Sequence, residues 1–198
     1  PSFLAAATQQ PGSLRIAFAA TLPPLGQASS GCQQAVQETV QRLAELGHVV
    51  EPGCPDFSGL LEPFMTVWQS GVAACGIPKE ALQPLNGWLL ERTASAGEYL
   101  QAVSQMQVIV RRIVAFFDSV DVLVLPTYLH PTIRVGEWAS LSPAETLEKI
   151  VHWVAPCPPF NATGQPAITI PVGFDANGLP MNVQLVGRPA AEATLIAL

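Results

Sequence analysis

The chain has 198 residues, a formal net charge of −6, and 12% charged residues, against about 25% in ordinary soluble domains. That length suits one ordinary domain, or one with a short appendage. Only two Lys are present, Lys79 and Lys149, and phosphate neutralisation needs clustered Lys and Arg, so nucleic acid is excluded as a partner. No run of about 18 apolar residues exists to span a membrane. The best candidate, Val108 to Phe117, is cut by Arg111 and Arg112. So little polar surface implies that a partner covers much of it, or that the chain is a piece of a larger fold. An exposed apolar face would otherwise drive self-association. No charged segment followed by an apolar stretch opens the chain, so no signal peptide is expected. Pro1 without an initiator Met, and Leu198 inside an apparent helix, read as cuts.

Leu14 to Ala19 is short, apolar and bounded by Gly12 and Pro23, which predicts a strand. Ser29 or Ser30 then caps a helix whose residues Cys32, Val36, Val40 and Leu43 form one apolar stripe. Gly47 stops it, and His48 to Pro52 resumes as a strand parallel to the first. Residues 57 to 92 read as helical, broken by Pro63, Pro78 and Pro84. Ser95-Ala-Gly-Glu98 is a capping box. Tyr99, Val103, Met106, Val110, Ile113 and Phe117 follow it as a core-facing stripe.

Val122 to Leu125 holds no polar residue, so this strand is expected to be covered on both faces, and to pack against the 96–117 helix. A loop fills 128–141. Ser142-Pro-Ala-Glu145 opens a helix that runs to about Trp153. Pro156, Pro158 and Pro159 forbid further helix. Phe160-Asn161 follows this proline-rich turn and precedes a buried strand, Ala167 to Val172, which a tight turn at 175–178 joins to a second strand, Met181 to Val186. A short amphipathic helix begins at Ala191. The fold class is α/β, a mixed central sheet flanked by helices.

Candidate chemistry is sparse. Ser29-Ser30 is explained as a helix cap. His130 and His152 have no nucleophile motif beside them, and His residues are too few and too separated for a metal site. No Walker loop or dinucleotide fingerprint is present, so no cofactor is expected. Four Cys without a CxxC pair, Cys32, Cys54, Cys75 and Cys157, read as free thiols of a cytoplasmic protein. Asn161 braces backbone, either at the rim of a site or merely in a loop. Gly164 allows a positive φ or a close backbone approach.

Three segments carry a family resemblance. Asp121-Val-Leu-Val-Leu-Pro-Thr127, Phe160-Asn-Ala-Thr-Gly-Gln-Pro-Ala-Ile-Thr-Ile-Pro171 and Gly178-Leu-Pro-Met-Asn-Val-Gln-Leu-Val-Gly187 stand in the order and spacing of the amidase signature family. Asn182 departs from the Gly common there. The resemblance covers nearly the whole chain. It implies the carboxy-terminal portion of an amidase fold over residues 1–198. It also implies an enzyme that hydrolyses small amides through a Ser-cisSer-Lys mechanism. That family's Lys, two Ser and oxyanion hole lie in an amino-terminal half, and none maps onto this chain, so no catalytic residue is assigned. The loops after Thr127 and before Asn161 would wall the acyl or amine pocket, which makes Thr127, Tyr128, Trp138, Trp153, Phe160 and Asn161 the pocket candidates. The missing half is then the expected partner. A self-standing binding or scaffold module with an amidase-like half-fold is the alternative. Within the family, the A subunit of the tRNA-dependent amidotransferase ranks lower.

Overall fold

A computed structural model describes residues 2–198. In chain order the elements are α1 (Phe3–Ala6), β1 (Arg15–Phe18), β2 (Thr21–Leu22), β3 (Gly26–Gln27), α2 (Ser30–Glu45), β4 (Val49–Pro52) and α3 (Leu61–Ala74). They continue with α4 (Pro84–Leu90), α5 (Ala96–Ala115), β5 (Val122–Pro126), α6 (Pro143–Trp153), α7 (Pro158–Thr163), β6 (Ala167–Phe174), β7 (Pro180–Gly187) and α8 (Glu192–Ala197).

Five strands form one mixed sheet in the order β4-β1-β5-β7-β6. β1 pairs in parallel with both β4 and β5, while β7 runs antiparallel to β5 and β6. β5 sits at the centre, and every one of its residues is buried. This is the fate of an all-apolar run. Period-two alternation sorts the two faces of β7. Met181 reaches toward Gly31 at the start of α2, and Leu195 of α8 lies against Gly187. The odd residues of β7 therefore meet α2 and α8. On the other face the buried Gln184 donates from Nε2 to the Pro156 carbonyl at 3.3 Å, so the segment leading into α7 covers that side.

Both capping boxes form: Ser95 with Glu98 opens α5, and Ser142 with Glu145 opens α6. The stripe of α2 is buried in full, and Gly47 closes the helix at φ +93°. Asp121 clamps the strand starts. Its carboxylate accepts from the Arg15 backbone N–H at 2.9 Å, and from the Arg15 guanidinium at 3.0 and 3.1 Å. Arg188, just beyond β7, lies 3.0 Å away on its other side. The Arg15 hydrogen bond holds the Asp121 carboxyl below the usual carboxylate range, against the opposing effect of burial.

A depressed carboxylate contributes stability that is complete above the unfolded pKa of about 4, and lost as pH falls through the folded value. Asp121→Asn is therefore expected to lower stability by about 2 kcal/mol near neutrality. The gap to the wild type should close below about pH 4. Urea titrations at a series of pH values test this. A gap independent of pH would contradict it.

Four expectations require correction. Pro63 does not break its helix: it occupies the first turn of α3, where no intrahelical N–H is needed. Pro158 and Pro159 do not forbid helix either, because they start α7, a position that suits a residue without an N–H. Phe160 to Thr163 are consequently helical. β6 is not a buried strand but an edge strand with alternating exposure. Ile168, Ile170 and Val172 pack on the core, while Ala167 and Thr169 face outward.

The stripe of α5 is only partly core-facing. Tyr99 is 38% exposed, and full burial begins at Ile113 and Phe117. α5 lies along α3 and α7, not along β5. Ile113 and Phe117 are buried in the cluster that contains β5, and Met106 and Ile109 pack against it.

Candidate functional site

The parallel strands β1 and β5 end at the same edge of the sheet, the edge at which open α/β sheets place ligands. Beyond Pro126 the chain doubles back on the end of α6. The Leu129 N–H donates to the Trp153 carbonyl at 3.0 Å. Trp153 Nε1 donates to the His130 carbonyl at 3.0 Å. The Ser29 N–H donates to the Leu129 carbonyl at 2.6 Å, which ties the start of α2 to the same loop. Gly26 (φ +138°) sits against this seam, and a Cβ there would come within 2.8 Å of Leu129 Cδ1.

These ties assemble an aromatic cluster with Trp153 as its hub. Tyr128 lies 4.8 Å from Trp153 between ring centroids, His130 stacks on it at 5.7 Å, and Trp138 meets it edge-on at 5.9 Å. His130 also stacks with His152 at 6.3 Å. Three of the six pocket candidates, Tyr128, Trp138 and Trp153, are thus brought together.

The other three behave differently. Phe160 is 3% exposed and packs edge-on against Phe57 at 6.2 Å, so it belongs to the core. Asn161 is exposed and not buried as a brace. It lines a small apolar lobe with Tyr128. Thr127 is buried beneath the cluster. Its carbonyl accepts the Cys157 thiol at 3.4 Å, and its hydroxyl has no partner. The bracing expected of Asn161 is supplied by Gln165, which donates to the Gly187 carbonyl at 2.7 Å, and by Gln184. Neither was singled out in the sequence. For Gln184 the available signal is its place between Val183 and Leu185 in an apolar strand; Gln165, between Gly164 and Pro166, offers none. Gly164 adopts φ +68° with open space around it, so the turn requires it and not a close approach.

Ser29 occupies the N-cap position, but its hydroxyl makes no capping bond and has no partner. The expected side-chain cap is therefore absent; Gln33 Nε2 donates to the Ala28 carbonyl at 2.6 Å, which ties the helix to the preceding turn. No base is therefore hydrogen-bonded to either Ser29 or Thr127. Burial pushes the Cys157 thiol up, which disfavours a thiolate nucleophile. Among the described residues no group of three metal-ligating side chains converges, and no helix is long and apolar enough to cross a membrane.

α6 divides two clefts around the cluster. A polar cleft of about 780 Å³ is lined by His130, Glu137, Trp138, Glu145, Lys149 and His152, among others. On the other flank of α6, Leu147 and Val151 face Phe57, Leu60, Phe64 and Met65 across a cleft of about 720 Å³. Glu148 and His152 border both. The apolar side continues into the lobe of about 310 Å³ that reaches Trp68, Tyr128, Cys157 and Asn161. The arrangement can hold a ligand with one polar and one apolar part. It does not, in this chain, present an activated nucleophile.

The model of the family described as Amidase matches residues 1–196. The chain belongs to the amidase family, in its amidase signature form. It is 47% identical over 196 residues to a candidate amidase of Synechocystis sp. (strain ATCC 27184 / PCC 6803 / Kazusa), covering 99% of this chain and 38% of that protein. It is 36% identical over 209 residues to the candidate amidase AmiB2 of Mycobacterium tuberculosis (strain ATCC 25618 / H37Rv), covering 99% and 44%. The fold is similar to that of 6-aminohexanoate cyclic dimer hydrolase, with a TM-score of 0.88 and 22% identity over 98% of this chain and 45% of that one. A bacterial aryl acylamidase of the amidase signature family gives a TM-score of 0.76 and 17% identity, over 98% of this chain and 44% of that one. The chain spans less than half the length of the curated relatives it matches.

Proposed function

We propose that this chain is the carboxy-terminal portion of an amidase that hydrolyses small carboxylic amides, and that it contributes walls of the substrate pocket but not the nucleophile. The observation that carries the reading is spatial. The three family-like segments lie side by side as β5, β7 and β6 with the α7 turn, and the aromatic cluster stands at the rim where β5 ends. In the whole enzyme a serine supplied by the amino-terminal part attacks the amide carbonyl. The amine leaves with a proton, and water then releases the acid from the acyl-enzyme. Tyr128, Trp138 and Trp153 hold the amide's substituents beside that serine. The four free cysteines support a reducing, cytoplasmic setting.

The chain alone is expected to hydrolyse neither esters nor amides, because nucleophile, base and oxyanion donors supply most of the rate in acyl transfer. Purified chain is assayed beside a Ser30→Ala control. Turnover that disappears in the control would overturn the reading. Exposed Leu100 and Val108 on α5, and Phe174 at the end of β6, support self-association, which sedimentation over a range of concentrations would reveal.

A further inference from the structure

We infer that Gly26, on the β2–β3 hairpin, is a positioning residue for the aromatic rim: it interlocks with Leu129 and so fixes where Tyr128, His130 and Trp153 stand. The inference rests on the reading of that rim as a pocket wall and adds the element that sets it in place.

Leu129 is the keystone of the loop between β5 and α6. Its N–H donates to the Trp153 carbonyl at 3.0 Å, and its carbonyl accepts from the Ser29 N–H at 2.6 Å. Its two chain neighbours, Tyr128 and His130, both lay their rings against Trp153. A shift of Leu129 therefore moves both rings, and with them the indole bond from Trp153 to the His130 carbonyl. The Leu129 side chain meets the hairpin at Gly26, where a Cβ would come within 2.8 Å of Leu129 Cδ1.

A side-chain end that close can normally swing away. Here neither partner is free to move. Leu129 is 1% exposed, so its other sides are packed. The hairpin is held as well. Leu22, opposite Gly26 in the β2–β3 register, is 0% exposed, and the Ala28 N–H donates to the Ala20 carbonyl at 2.9 Å. Added volume at Gly26 thus displaces Leu129, and the rim follows. His152 Nε2 would lie 3.5 Å from the added carbon, in ordinary contact, so the end of α6 rests on the same spot. The φ of +138° at Gly26 is a separate requirement, which the turn alone imposes.

Experiment separates the two requirements. The readout is the Trp153 indole N–H signal in heteronuclear NMR of the nitrogen-labelled chain, identified by its disappearance in Trp153→Phe. The hydrogen bond to the His130 carbonyl makes that signal a direct report of the rim. Gly26→Ala should shift it. Leu129→Val, which removes Cδ1 and leaves a gap, should shift it too. The two substitutions together should bring it back, because the added carbon fills the space that the lost one leaves, a coupling expected only of residues in contact. The melting temperature need not return with it, since Ala stays strained at that φ. Gly47→Ala is the control. Gly47 has φ +93° and open space around it, so the substitution should lower the melting temperature and leave the signal in place.

An unshifted signal in Leu129→Val, a pair of substitutions that does not restore it, or an equal shift in Gly47→Ala would each overturn the inference. None of these outcomes needs turnover, or needs Gly26→Ala to fold by itself. In the whole enzyme Gly26→Ala should lower kcat/KM about tenfold to a hundredfold by misplacing the substrate, and the pair should recover it. Full activity beside a shifted signal would remove the rim from the pocket and leave the interlock standing. A whole enzyme that hydrolyses no amide would sink the amidase reading alone.

Discussion

Phe160→Ala is expected to lower the unfolding free energy by about 3–5 kcal/mol, one of the largest effects any single substitution should have here. The ring is 3% exposed and sits edge-on against Phe57. It also joins α7 to the core cluster that contains β5. Truncation removes buried area and leaves a void that Phe57, held between α3 and α7, cannot refill. The expectation separates the two roles proposed for this residue. A pocket wall would change substrate preference at little cost in stability, whereas a core residue does the opposite. Urea denaturation of the variant decides between them. A loss below about 1 kcal/mol, the scale of a surface substitution, would return Phe160 to the pocket.

The burial of Phe160 marks a limit of what local sequence pattern conveys. Capping boxes, the all-apolar β5 run and the α2 stripe are local signals whose cause lies within a few residues, and all of them stand. Phe160 and Asn161 are neighbours whose fates differ because they lie on different sides of α7, an element hidden behind two prolines. Pro158 and Pro159 start this helix because its first turn has no intrahelical N–H to lose. Pro171 carried an equally readable message. A proline inside a strand pattern points to an edge, and β6 is the edge.

Other features were not legible at all. The periodicity of α5 predicts an apolar stripe but not its partner, and here the partner is α3 over most of its length. The cluster around Trp153 depends on a loop folding back over the end of α6. Its ties are the backbone bonds at Leu129 and the indole bond to His130, which no residue pattern encodes. Asp121 was visible only as a motif residue. Its work as a clamp between Arg15 and Arg188 depends on β1, β5 and β7 being neighbours.

Leu123→Ala should destabilise the chain by about 2–5 kcal/mol, toward the upper end of that range. Leu123 is 0% exposed and paired on both sides, with Ala17 in β1 and Val186 in β7. A cavity at the centre of a five-stranded sheet cannot collapse without moving one of its neighbours, and the penalty grows with the volume left open. Hydrogen exchange supplies a second test on the unaltered chain. Amides of Val122 to Leu125 should be among the slowest, opening only with global unfolding. Those of β6 at the sheet edge should exchange faster. In the Leu123→Ala variant the slow amides should speed up by the same free energy that urea denaturation reports, since both then measure one cooperative unit. Fast exchange at β5 in the unaltered chain would mean that the sheet's centre opens by itself. The family-like segments would then have no rigid frame on which to hold the aromatic rim.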